Sequence, residues 1–142
     1  MYKLIAIITA SLFAFASGFN ASARETVNPL KNVTANKIVL TYAEAITSGN
    51  TDFNKHLFTA DFEYLNSASN DTYDRAAYLG FLKANKGIKY NCSTDYEILD
   101  QAGKTSVAKV SMKFENFTRV DYITMVQSTD GWKVSKVVST YP

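Results

Sequence analysis

Residues 104–142 read as almost unbroken two-residue alternation of apolar and polar side chains. Successive side chains of a strand point to opposite faces, so this pattern marks a sheet with one covered and one wet face. Two turn signals divide the stretch, at residues 115–118 and at Thr129-Asp130-Gly131. Asp-Gly between alternating apolar runs is the strongest short-range hairpin signal. Residues 90–99 add a fourth strand ahead of these three. A meander of this size needs cover for its apolar face, and the upstream residues are read as that cover.

The strand parities follow by counting. Tyr90, Cys92, Thr94, Tyr96 and Ile98 share one face, with Lys89, Asn91, Ser93, Asp95 and Glu97 on the other. A turn at residues 100–103 leads to a strand with Ala108, Val110, Met112 and Phe114 inward. In the next strand both faces carry apolar groups. Val120, Tyr122, Thr124 and Val126 are assigned to the inner side, and Ile123 and Met125 to the outer one. Arg119 and Asp121 share that outer parity, where an exposed ion pair is worth little. Trp132 and Val134 open the last strand pointing inward, which leaves Val137 outward.

Upstream, Pro29 suits the first turn of a helix capped by Asn28. Its apolar stripe is Ala35, Ile38, Val39, Tyr42 and Ile46, and Gly49 ends it as a left-handed cap. Residues 51–58 read as a short second helix with Phe53, Leu57 and Phe58 on its apolar side. Residues 61–66 alternate as a short strand, with Phe62, Tyr64 and Asn66 together on one side. Residues 67–72 are a loop by composition. Asp74 caps a third helix with Tyr78, Phe81 and Leu82 as its buried edge, closed by Gly87. Helices and one strand followed by a four-strand meander mean a single α+β domain, residues 24–142.

Residues 1–23 are read as a secretory signal peptide: Lys3, an apolar run over residues 4–19, then Ala21-Ser22-Ala23. The run is shorter than the ~20 apolar residues of a spanning helix. The expectation is a mature chain from Arg24 in the periplasm or the medium, with no membrane attachment after cleavage. Five N-x-S/T sequons, at Asn20, Asn32, Asn70, Asn91 and Asn116, matter only in a glycosylating host.

Several function classes are excluded by residue usage. The formal charge is +2, and its lysines alternate along strands instead of clustering, so no nucleic-acid footprint is expected. Cys92 is the one cysteine, which rules out an internal disulfide. With one histidine, His56, and no CxxC or HExxH spacing, neither a metal nor a cofactor is expected. Cys92 reads as a small hydrophobe and His56 as a surface or satisfied residue.

The element order, with YAEAITSGNTDFNKHLFTADFEYLN early and a closing TDGWKVSKV, resembles the nuclear transport factor 2-like superfamily. This is also called the SnoaL-like or cystatin-like cone fold. Within it the likeness is to small secreted bacterial lumazine-binding proteins. The resemblance implies a curved antiparallel sheet wrapped around three N-terminal helices, with a pocket at the open end of the cone. It implies a pocket wall of Phe62, Tyr64, Asn66, Tyr90 and Thr94, continued by Tyr96, Met112, Tyr122 and Thr124. Tyr42 would join it from the first helix. Members commonly pair through the outer sheet face, and a homodimer is expected there on Ile123, Met125 and Val137.

The ketosteroid isomerase branch of the fold offers one enzymatic comparison. It uses a first-helix tyrosine as oxyanion donor, a carboxylate base and a second, protonated acid. By resemblance Tyr42 holds the tyrosine position, the base falls near Asn66 and the second acid near Thr124. An amide cannot take a proton from carbon at neutral pH, so no catalytic residue is assigned. Three readings remain: a secreted binding protein for a small apolar or planar ligand, a dimeric interaction module, and an isomerase- or dehydratase-like enzyme. The first leads, on a chain with 9 Tyr and 9 Phe.

Overall fold

The structure is a computed structural model that describes residues 27–142. The expected leader and its cleavage point lie outside the described residues.

The first helix, α1 (Ala35–Thr47), starts later than Pro29. Thr34 is its cap, accepting from the Lys37 N–H at 3.3 Å. Asn28 has a different task. Its Oδ1 accepts from the Leu30 N–H at 2.8 Å and its Nδ2 donates to the Asp130 carbonyl at 2.9 Å. Residues 29–32 are thereby held as a turn that ties the start of the domain to a distant hairpin. Gly49 follows the helix at φ 64°, where a Cβ would lie 2.4 Å from the Gly87 nitrogen. Only glycine fits both the left-handed backbone and that approach.

Helix α2 (Asn54–Leu57) is a single turn, because Phe58 already belongs to β1 (Phe58–Asn66). The stretch expected as a loop runs at residues 71–72 into β2 (Asp71–Asp74), paired antiparallel to β1 with Tyr73 opposite Tyr64. Asp74 then caps α3 (Arg75–Ala84), accepting from the Ala77 N–H at 2.9 Å. Tyr78 and Leu82 are buried as expected, but Phe81 is 42% exposed. The meander follows as β3 (Ser93–Ala102), β4 (Thr105–Lys113), β5 (Thr118–Ser128) and β6 (Gly131–Thr140).

The six strands form one curved sheet in the order β2-β1-β6-β5-β4-β3, antiparallel except for β1 beside β6. Helix α1 packs on β3, β4 and β6, and α3 on β1 and β2. Ile38, Val39 and Tyr42 of α1 share the buried core with Val110, Met112, Ile123, Met125 and Val134. Each such side chain contributes about 1.5–3 kcal/mol on full burial.

One irregularity decides the inner face. Met125 lies opposite Val134, but Thr124 lies opposite Lys136. Ser135 is thus an extra residue in β6, and its hydroxyl donates to the Thr124 carbonyl at 3.2 Å. A bulge of this kind reverses parity along the strand. Trp132 and Val134 face inward before it, and Val137 and Ser139 face inward after it. On β5 the inner set is Arg119, Asp121, Ile123 and Met125, while Tyr122 is 43% exposed. Two expectations are corrected. Ile123, Met125 and Val137 are core residues and form no outer apolar patch. Tyr122 and Thr124 lie on the side of the sheet opposite the core. Trp132 is buried, as its position after Asp-Gly predicts.

Candidate functional site

Asp121 is fully buried on the middle of the inner sheet face. A carboxylate removed from water needs a partner for every lone pair. Here it has them. Oδ1 accepts from Arg119 Nε at 2.8 Å and from the Ser139 hydroxyl at 2.5 Å. Oδ2 accepts from Arg119 Nη2 at 2.9 Å and from the Tyr42 phenol at 2.6 Å. These four bonds fill the roughly four acceptor sites of a carboxylate.

The local fold explains each partner. Arg119 and Asp121 are two apart on one strand, so they share a face and meet as a fork on a carboxylate. Ser139 is directly opposite Asp121 in the β5–β6 register. Tyr42 reaches down from α1, and the Tyr78 phenol stands 3.2 Å from its oxygen. The Tyr42 hydrogen goes to Asp121, so Tyr78 donates between the two phenols. Tyr64 of β1 completes the chain by donating to the Ser139 hydroxyl at 2.9 Å.

Burial, and after it the charge of Asp121, hold the Tyr42 and Tyr78 phenols well above the ordinary tyrosine range. Burial also raises Tyr64. For Arg119, burial alone would weaken the cation, but the Asp121 charge outweighs it and the guanidinium stays protonated. The network joins the Arg119 guanidinium, the Asp121 carboxyl group, the Ser139 hydroxyl and three phenols whose raised pKa keeps them neutral.

Above this network opens a cavity of about 270 Å³. Its wall is aromatic: Tyr64, Tyr73, Tyr78, Phe81 and Tyr141. Asn66 and Arg119 supply the polar part. Tyr78 and Phe81 are three apart on α3 and so line one helix face. Tyr64 and Tyr73 are a cross-strand pair with ring centres 5.8 Å apart, and Tyr64 stacks on Tyr78 at 5.0 Å. Among the described residues the lining holds no carboxylate, imidazole or thiol. A larger, shallower cleft of about 500 Å³ runs past Lys55, Asp74, Arg75 and Lys133. There Arg75 and Lys133 donate to the Lys55 and His56 carbonyls, which closes the end of α2. Burial and Lys55 lower the pKa of His56, which lines neither cavity.

Of the residues expected at the pocket, Tyr64 and Asn66 line it. Tyr42 lies beneath it with its phenol committed to Asp121. Phe62 is buried against Phe58 and Tyr78, and Met112 is in the core. Tyr90 packs on Phe114 at 5.9 Å. Thr94 and Tyr96 lie on β3, the edge strand, outside the lining. Tyr122 and Thr124 are on the far face.

Residues not expected there are Tyr73, Tyr78, Phe81, Arg119 and Tyr141. Tyr78 and Phe81 stand at a helical spacing that a buried edge and a pocket wall share. For Arg119 the available signal was its shared parity with Ile123 and Met125, the most apolar pair on β5. Among the described residues no group of three or more His, Cys, Asp or Glu side chains could hold a metal ion. No described helix is long and apolar enough to cross a membrane.

Known structures share this architecture. An NTF2-like protein of unknown function from Silicibacter pomeroyi superposes with a TM-score of 0.61 at 14% identity, over 75% of this chain and 92% of that one. An NTF2-like protein from Cytophaga hutchinsonii gives 0.59 at 16% identity, over 78% and 100%. A protein described as a "putative ketosteroid isomerase" from Parabacteroides distasonis gives 0.58 at 12% identity, over 80% and 92%. At such identities the likeness is one of fold. No curated protein matches the sequence. The sequence profile of one family matches residues 31–140, nearly the whole described domain. The chain has the nuclear transport factor 2-like fold and belongs to the family described as "Putative lumazine-binding".

Proposed function

We propose that this chain is an exported binding protein for a small planar molecule, held in the tyrosine-walled pocket above Arg119. The observation that carries the reading is the wall itself: five aromatic rings around one arginine and one amide. Flat aromatic walls favour a flat ligand, since ring stacking adds about 0.5–1.5 kcal/mol beyond area burial. Size narrows the class. Ligand pockets usually span ~300–1,000 Å³, and this one, about 270 Å³, is below that range. A fused two-ring compound suits it better than a four-ring steroid. The family description names lumazine, a flat two-ring compound with two ring carbonyls, which makes it the first ligand to try.

Binding is favoured over catalysis by the state of Asp121. Its lone pairs are filled by four donors and it is sealed from the cavity, so it cannot take a proton from a ligand. The leader pattern of residues 1–23 supports export, and N-terminal sequencing of exported protein should begin at Arg24.

Calorimetric titration with lumazine and other two-ring heterocycles tests the reading. Saturable one-to-one binding is expected, weakened about tenfold by Tyr73→Ala through the loss of a stacking face. Absence of saturable binding by every planar two-ring compound would end it.

A further inference from the structure

A guanidinium has five N–H donors. Arg119 gives one from Nε and one from Nη2 to Asp121. Among the described residues Nη1 has no partner, and it is not among the sealed, unpartnered atoms. The side chain is only 10% exposed, and the cavity it borders is the one it lines. Its remaining N–H groups are therefore available to a molecule in the pocket.

Asn66 adds a second donor by the same kind of argument. Its Oδ1 is held by the Ala68 N–H at 3.0 Å and the Ser69 N–H at 3.4 Å. That leaves Nδ2 as the free end of the amide. The two non-aromatic groups of the lining thus both present donors, and a complementary ligand carries acceptors.

Charge decides which acceptors. Asp121 lies 2.8 Å from Arg119 and cancels its charge at the pocket floor. Every other lining residue is neutral, and burial keeps the Tyr64 and Tyr78 phenols protonated. A carboxylate entering this site would lose its hydration and find no net positive charge. A neutral carbonyl loses far less on leaving water and still gains a bond to a charged donor.

We propose that the pocket selects a neutral planar ring bearing carbonyl acceptors over a carboxylate of the same size, and that Asp121 sets the preference by neutralising Arg119 while aiming its fork. The inference rests on the binding reading above. Asp121 acts here as a positioning residue, since it does not reach the ligand.

Three probes of similar ring size separate the possibilities by titration of the exported chain: lumazine in mildly acidic buffer, where it is uncharged, 2-naphthoate, and 2-methylnaphthalene. Lumazine should bind about tenfold or more tighter than 2-methylnaphthalene, the increment of a hydrogen bond to a charged donor. Naphthoate should bind no tighter than 2-methylnaphthalene. Asp121→Asn should raise naphthoate affinity relative to lumazine, because the cation is no longer cancelled. The double variant Arg119→Met with Asp121→Leu removes both charges together, so neither is left buried alone if Asp121→Asn fails to fold. It should lose the preference for lumazine over 2-methylnaphthalene. Naphthoate binding tightest, or lumazine and 2-methylnaphthalene binding equally, would overturn the selectivity and leave the binding reading standing. No binding by any of the three would overturn both.

Discussion

The inner face of the sheet has two ends built from the same two strands. At one end β5 and β6 contribute Ile123, Met125, Trp132 and Val134 to the apolar core with Ile38 and Val39 of α1. Toward the other they contribute Arg119, Asp121 and Ser139, bonded to phenols from α1 and β1. The apolar end is held by volume and area, which degrade gradually when atoms are removed. The polar end is held by a closed set of hydrogen bonds around two opposite charges. Removing one member there strands another where water has little access.

Truncation at either end should be severe. Asp121→Ala leaves the buried guanidinium and the Tyr42 phenol without their acceptor and should cost about 3–5 kcal/mol. Trp132→Ala should cost a similar ~3–5 kcal/mol by opening a cavity. Urea unfolding measures both. A loss under ~1 kcal/mol at Asp121 would mean that water in the pocket solvates the Arg119 guanidinium in place of the lost carboxylate.

The two ends should separate under gentler changes. Tyr42→Phe removes one hydroxyl and no volume, yet should cost about 1.5–3 kcal/mol, because the lost bond is to a charged acceptor. A change near zero would place Tyr42 with the apolar end.

Alkaline pH probes the polar end without mutation. Tyr42, Tyr64 and Tyr78 have folded pKa values above the unfolded one, so the folded state binds more protons once the unfolded phenols titrate. Their contribution is intact below about pH 10 and is lost as the pH rises beyond it. Urea midpoints across that range should fall, and more gently in Tyr42→Phe. A flat profile would contradict the burial of the phenols.

The smallest effect belongs to the apolar end. Ile123→Val should cost only about 0.5–1.5 kcal/mol. A larger loss would mean that Ile123 also supports the neighbouring Asp121.

The elements that local chemistry specifies were legible in the residues alone. Alternation marked all four meander strands, Asp-Gly marked the last hairpin, Gly49 marked the end of α1 and Asp74 the start of α3. The chain's family resemblance was readable at the same level, from order and a few phrases. Two of the ten residues expected in the pocket, Tyr64 and Asn66, line it, because β1 pairs with β2 without a register shift from Glu63 to Asn66 and counting by two holds there. Strand β2 is not legible, since residues 67–72 have turn composition and the strand is made by pairing with β1, a contact that propensity does not contain.

What the residues could not disclose was the parity of β5 and of the second half of β6. Counting by two carries an assignment along a strand only while every residue is paired, and one inserted residue reverses everything after it. Ser135 is that residue, and nothing in VSKVV distinguishes it from its neighbours. Its place is decided by where β5 pairs and by the need to put Val137 against the core while Ser139 meets Asp121. Composition and alternation therefore determined that a sheet with an aromatic-rich inner face would form. The register between β5 and β6 decided that Arg119 and Asp121 would be inside it, because only pairing across strands selects which face of an ambiguous strand is buried.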